Sequence, residues 1–502
     1  MHLPSVSFQP GIPKVQQIVD ALGQAIDQGQ FSPGSKLPSA RLMTQHWGVS
    51  KFTLIEALDR LRGQGRITSS QGLGYFVASK APVARRAIGL DLLPQDLSSV
   101  LRRSLTGASG ALRPGSGHLP ESWLESSALR ASVRQLSRSP TLRLTGYGDP
   151  AGYLPLRQAL QQKLLGQGLD VGIEQIITTA NTVLALDMLL RLRVLPGDTV
   201  LLDMPCYFNF HANLALHGVR VVTLERTVQG LDLQALENLF IQHRPTLYLT
   251  TGLLHNPTGH SFTPSQAYGL LELAKRHDCS IIEDDLYGDL HPEPPPRLVA
   301  LAGVEQVTYL SGFSKTLSAN LRVSFVVATP QMAAELTHMK LMCGGITSEM
   351  LEQVVCSVLN DGTYHKHRKR VVQGLLVSGA RVAAWLRGLG FTLSVPYTGG
   401  MFIWVTLPAG LDAETLAQQA LARDLVLAPG ILFGFDPRLR RCMRFNVAHT
   451  DTPAVMAAFE ALLASATLAD RPNRLRWPCP PDPANVGPAY ASSPGSDTGR
   501  WS

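Results

Sequence analysis

The sequence predicts two folded parts of different class: a small N-terminal α+β head of three helices and a hairpin, and a larger α/β body built on a parallel sheet. Three observations lead there. Apolar residues near the N-terminus recur every three to four positions and are then interrupted by glycines. Beyond residue 199, runs of β-forming residues alternate with helical patterns, which lays strands side by side under helices on both faces. A length of 502 residues, 45% apolar and 17% charged, suffices for two or three cores and excludes a disulfide-stapled scaffold or a disordered chain.

In the head, Val15, Ile18, Val19, Leu22, Ala25 and Ile26 mark one face of a helix from Lys14 to about Gln28, stopped by Gly29. Turn residues Ser32, Pro33, Gly34 and Pro38 follow. Ser39 is placed to cap a short helix that reaches Trp47 and breaks at Gly48. Ser50 caps a third helix from Lys51 to about Arg62, with Leu54, Ala57, Leu58 and Leu61 on one face. Two short helices across a glycine turn make a helix-turn-helix. Arg66 to Ser69 and Tyr75 to Val77, on either side of Gln71-Gly72-Leu73-Gly74, read as a hairpin or wing. The head is assigned residues 1–78, and a linker mixing Pro82, Arg85, Arg86 and Gly89 is assigned residues 79–92.

The body spans 93–468. Its expected strands are Thr199 to Leu202, Val219 to Leu224, Leu247 to Thr251, Ser280 to Ile282, Val307 to Leu310 and Val323 to Ala328. A helix through Leu386, then Phe391 to Leu393 and Met401 to Val405, mark a smaller α+β unit over about 365–468. The segment 469–502 reads as a disordered tail, because the 32 residues from Arg471 hold 7 prolines and cannot bury enough to repay ordering. No window approaches 18 uninterrupted apolar residues, and Met1-His2-Leu3-Pro4 lacks the basic-then-apolar order of a secretory signal, so a cytoplasmic protein is expected. Cys206, Cys279, Cys343, Cys356, Cys442 and Cys479 contain no C-x-x-C pair, which argues against a metal site and for reduced thiols.

The formal charge of +7 is unevenly spread. Residues 1–80 carry 8 Lys and Arg against 4 Asp and Glu, residues 81–145 carry 9 against 4, and the rest carry 28 against 30. A basic N-terminal part on a near-neutral body suits a polyanion-binding module. A helix-turn-helix offers the start of its second helix to base edges in the major groove while the preceding helix grips phosphates. Those positions are Lys51 and Thr53, with Ser39 and Arg41 on the preceding helix, and Gly72 lets the wing backbone approach a phosphate. The run from Pro13 to Val77, with PGSKLPSARLM, WGVSKFTLIEALDRLRGQG and GLGYFV, resembles the winged helix-turn-helix of the GntR regulator family. The resemblance implies binding of double-stranded operator DNA as a homodimer. Trp47 stands where that family usually has a smaller residue and is expected in the core.

In an open α/β sheet ligands bind where strands end. Here Leu247 to Thr251 runs into His255-Asn256-Pro257-Thr258-Gly259, Ile281-Ile282 into Glu283-Asp284-Asp285-Leu286-Tyr287, and Val307 to Leu310 into Ser311-Gly312-Phe313-Ser314-Lys315. These ends supply what pyridoxal phosphate needs: a Schiff-base lysine, a carboxylate for the ring nitrogen, donors to the phenolic oxygen and a cation for phosphate. Lys315 is the candidate catalytic lysine, Asp284 the ring-nitrogen partner, Tyr287 with Asn256 the phenolic-oxygen donors, and Arg322 a planar fork for phosphate.

Together YGDPAGYLPLR, HNPTG, IIEDDLYGDL and GFSKTLSANLRV resemble the fold-type-I, class I and II aminotransferases over roughly 91–468. A GntR-like head on such a body is the layout of the MocR subgroup. The resemblance assigns Tyr207 to stacking on the cofactor ring, Tyr147 to the phosphate of a partner subunit's site, and Arg444 to the α-carboxylate of an amino-acid ligand. The phosphate loop departs from the family's pattern, reading Thr179-Ala180-Asn181-Thr182-Val183 without the usual serine, so backbone amides of Ala180, Asn181 and Thr182 at a helix start are expected to serve. Gly312 likewise replaces a frequent serine. Three readings follow: a transcriptional regulator that senses an amino compound through external aldimine formation, a working PLP-dependent transaminase with a DNA-binding appendage, and a silent scaffold serving dimerisation. The first leads.

Overall fold

The computed structural model describes residues 3–6, 8–32, 34–64, 66–70, 74–77, 110–124, 126–140, 142 and 144–469. The expected linker at 79–92, Gly72 at the wing tip, the start of the body at 93 and the tail beyond 469 lie outside the described residues. The chain forms two compact units, residues 1–95 with 212–218 and residues 96–211 with 219–502.

In the head, α1 (Lys14–Asp27), α2 (Ala40–Trp47) and α3 (Lys51–Gly63) precede β1 (Ile67–Ser70) and β2 (Gly74–Val77). The strands pair antiparallel, with Ile67 opposite Val77. Ser39 and Ser50 cap α2 and α3 through their hydroxyls, and Gly48 ends α2 at φ 58°, a conformation that disfavours any residue with a Cβ. Ile18, Leu22, Leu54, Leu58, Leu61 and Ile67 form the core. Trp47 joins them, its indole nitrogen donating to Pro4 O at 2.8 Å, so the departure from the family pattern is a packing residue.

The body centres on an eight-stranded sheet: β3 (Ile176–Thr179), β4 (Thr199–Met204), β5 (Arg220–Thr227), β6 (Gly230–Leu231), β7 (Leu247–Thr250), β8 (Ser280–Asp284), β9 (Val307–Gly312) and β10 (Ser324–Val327), in the order β3-β10-β9-β8-β7-β4-β5-β6. The sheet is mixed. β9, β8, β7, β4 and β5 run parallel, whereas β10 is antiparallel to both β9 and β3, and β6 to β5. This corrects the all-parallel expectation. Two parallel neighbours need a helical crossover, and the stretch between Gly312 and Ser324 is too short for one, so the chain doubles back. That return loop carries Lys315.

Central strands are buried on both faces, β7 and β9 along their whole length, which is why they read as continuous apolar runs. A second core surrounds an antiparallel sheet of β11 (Thr392–Leu393), β12 (Phe402–Thr406), β13 (Ala428–Pro429) and β14 (Cys442–Asn446), packed with Val382 and Leu386 of the long helix Thr363–Gly388 and Phe459 of the helix Pro453–Ala469. β14 carries Arg444.

Candidate functional site

The ends of β7, β8 and β9 and the middle of β14 converge. Arg444 Nη1 donates to Asn256 Oδ1 at 2.7 Å, and Asn256 Nδ2 donates to the Tyr287 hydroxyl at 3.2 Å, so one amide ties the arginine to the tyrosine. Arg444 Nη2 donates to Gly115 O at 2.7 Å, and Lys315 Nζ to Gly117 O at 2.8 Å. A methyl added to Gly117 would lie 3.9 Å from both Lys315 Nζ and Arg444 Nη2, so the two cations face one space lined by bare backbone. Tyr287 lies three residues beyond Asp284 without sharing a helix with it. β8 ends at Asp284 and bends before the short turn Gly288–Leu290.

Burial, followed by the charge of Arg444, pulls the Lys315 amine down from 10.5 to about 7. Burial and then neighbouring Asp285 push the Asp284 carboxyl up to about 7, while the Lys315 charge opposes the rise. The Arg444 guanidinium is 6% exposed, drops to about 10 through burial, and lies 4.3 Å from the Phe402 ring centre and 4.8 Å from that of Phe433. Among the described residues no carboxylate pairs with it, and its Nε has no hydrogen-bond partner.

The other expected cofactor residues are distributed as follows. Asn181 caps the helix Thr182–Arg193, its side chain accepting from Leu184 N at 2.8 Å, and Ala180, Asn181 and Thr182 follow the end of β3 as partly buried residues at the helix start. Tyr207 follows β4. Its hydroxyl, pushed up to about 12 by burial and then by Asp284, accepts from Asn209 Nδ2 at 3.0 Å. Arg322 is exposed and left-handed at φ 53°. Tyr147 is 90% exposed and stands apart from its own chain's cluster.

Sequence reasoning missed Gly115 to His118 and Asn446. His118 Nδ1 lies 3.3 Å from Lys315 Nζ, whose charge, ahead of burial, holds the imidazole neutral with a pKa of about 3. Asn446 Nδ2 donates to Ser116 O at 2.9 Å and His118 O at 2.7 Å, fixing that segment beneath Lys315. The Gly-Ser-Gly run after Pro114 was the available signal, since closely spaced glycines mark close backbone approach.

In the head, Ser39 and Ser50 are engaged as caps, Ser50 Oγ accepting from Thr53 N at 3.1 Å and lying 2.8 Å from Thr53 Oγ1. Arg41 and Lys51 are exposed.

An amine near neutrality, a buried carboxyl that readily shares a proton, a tyrosine–amide pair, a helix N-terminus and a guanidinium with no carboxylate partner among the described residues fit pyridoxal phosphate and an amino-acid ligand.

The family "Aminotransferase class I and II" matches residues 108–462, and "Bacterial regulatory proteins, gntR family" matches residues 14–77. The HTH-type transcriptional regulator YdcR of Escherichia coli is 30% identical over 455 residues, covering 87% of this chain and 95% of that protein. The probable rhizopine catabolism regulatory protein MocR of Rhizobium meliloti is 27% identical over 72% of this chain and 74% of its own. In structure the body is similar to LysN, an α-aminoadipate aminotransferase of Thermus thermophilus solved with N-(5'-phosphopyridoxyl)-L-leucine: TM-score 0.67, 25% identity, 76% of this chain and 99% of that one.

Proposed function

The chain belongs to the class I and II aminotransferase family and carries a GntR-family head, and from that premise we propose that it is a MocR-type, pyridoxal-phosphate-dependent transcriptional regulator that senses an amino compound. One observation carries the sensing half: a buried guanidinium, Arg444, without a carboxylate partner among the described residues and facing the same space as the Lys315 amine. A buried cation left uncompensated is costly, and a ligand carboxylate removes that cost. The head's basic charge and capped helix-turn-helix support DNA as the other partner.

When bound, pyridoxal phosphate supplies an aldehyde for a primary amine and an electron-withdrawing ring. Lys315 provides the amine that holds it. Asp284 would keep a proton at the ring nitrogen, Tyr287 and Asn256 would donate to the ring oxygen, Tyr207 would pack against the ring, and Arg322 with the amides of Ala180, Asn181 and Thr182 would hold the phosphate. Arg444 would orient the ligand by its α-carboxylate, and the free Lys315 amine is held by Gly117 O and lies beside His118 Nδ1. Arg41, Lys51, Thr53, Ser39 and Gly72 contact DNA. Tyr147, exposed together with Leu144, Met342 and Met350, reaches the phosphate of a second copy, which makes the regulator a homodimer. It works in the cytoplasm, where its DNA is, and among the described residues no helix is long and apolar enough to cross a membrane.

The test is a gel shift on the protein's own promoter region, with cofactor-loaded protein and a panel of amino compounds. An amino compound that changes both the visible absorbance and the shift supports the reading. Absorbance that responds while DNA binding never does sinks it. A second reading, turnover as a transaminase, is favoured by the Lys315 amine poised near 7, which suits proton transfer. Conversion of keto-acid acceptors over the same panel decides it.

A further inference from the structure

Along α3 the inward face is Leu54, Ala57, Leu58 and Leu61. The outward stripe changes character along its length. Its C-terminal end is ionic, with Arg62 and Asp59 paired at 3.1 Å, and Arg60 pairs with Glu56 at 2.7 Å beside it. Its N-terminal end is apolar: Phe52 is 79% exposed and Ile55, one turn behind, is 36% exposed. A phenyl ring this open on a head with a well-filled core serves no packing purpose in the described structure. It sits between Lys51 and Thr53, on the turn that a helix-turn-helix presents to base edges. The hydroxyl of Thr53 is already occupied by the Ser50 cap, which reduces its value for hydrogen-bonded readout.

The major-groove edge of duplex DNA offers one apolar group, the C5-methyl of thymine, and phenyl rings pack against it. Over any other base edge the ring would cover donors or acceptors without replacing their hydrogen bonds, which is penalised. The exposed cation Arg41, on the helix that grips phosphates, brings the backbone close enough for that contact.

We propose that Phe52, backed by Ile55, is a specificity-determining residue that reads thymine methyl groups in the operator. This rests on the DNA-binding reading of the head, and the experiment separates the two. Full-length, cofactor-loaded protein selects duplexes from a random pool at fixed salt. Each thymine of the selected site is then replaced singly by deoxyuridine, which pairs identically but lacks the methyl. Wild type is expected to lose about fourfold affinity at one or two thymines, the worth of one buried methyl. Phe52→Ala should bind the intact site more weakly and lose that sensitivity, Phe52→Leu should keep part of it, and Arg41→Ala should weaken all sequences alike. If no duplex is selected, the DNA-binding reading fails and the proposal with it. If duplexes are selected but uracil is tolerated everywhere, or Phe52→Ala keeps the wild-type loss, the head binds DNA and the proposal alone is overturned. It is equally overturned if Phe52→Ala alters only self-association.

Discussion

Arg444 and Arg41 are the same residue type in opposite circumstances. Arg41 is exposed, whereas the Arg444 fork is held by Asn256 Oδ1 and Gly115 O between two aromatic rings, with no carboxylate paired to it among the described residues. Arg444→Lys keeps the charge but cannot span both acceptors. Titration of the visible spectrum with amino acids should therefore show binding weakened by about 1.5–3 kcal/mol, with the cofactor retained. Lys315 yields a prediction whose sign follows from its lowered pKa. Unfolded, the amine stays protonated up to 10.5; folded, it gives up its proton near 7. Between those values the unfolded chain binds more protons, so stability rises with pH, and the cost of burying the charge is fully present below 7. Relative to wild type without cofactor, Lys315→Met should melt higher below pH 7, and the gap should close as pH approaches 10.5. A constant gap in calorimetry across that range would refute the assignment.

At the level of elements, α2 and α3 were legible because each carries its own punctuation, a capping serine before it and a glycine at its end, Gly48 just past α2 and Gly63 as the last residue of α3. The strands β7, β8 and β9, which lead to Asn256, Asp284 and Lys315, were legible because burial on both faces leaves an apolar run that stops abruptly at polar residues. The antiparallel return of β10 escaped the strand pattern, since a strand's own residues carry no direction and only the short connection from Gly312 to Ser324 marks it. The segment beneath Lys315 escaped notice for a related reason: Gly117 and Lys315 are 198 positions apart, and a backbone carbonyl leaves no mark in a side-chain pattern. Trp47 tests the independence of the head. Its burial and its bond to Pro4 O predict that Trp47→Ala costs about 3–5 kcal/mol and abolishes DNA binding, while the visible absorbance of the body is untouched. Loss of that absorbance as well would mean the two parts do not fold separately.

For the whole molecule the question is where one site ends. Lys315, Asp284, Tyr287, Asn256 and Arg444 lie within one chain, but Tyr147, at 90% exposure, does not join them. Mixed dimers of Lys315→Ala and Tyr147→Phe protomers therefore contain one site with both defects and one with neither. They should bind about half the cofactor of wild type with native affinity, whereas each homodimer binds weakly or not at all. Uniformly weakened binding in the mixture would place Tyr147 in its own chain's site. The segment from Gly115 to His118 has a different consequence. Its two glycine carbonyls each hold one of the cations, Gly115 the Arg444 fork and Gly117 the Lys315 amine, and Asn446 pins the middle. Both cations are therefore tethered two residues apart on one backbone stretch, so a shift of either is passed to the anchor point of the other.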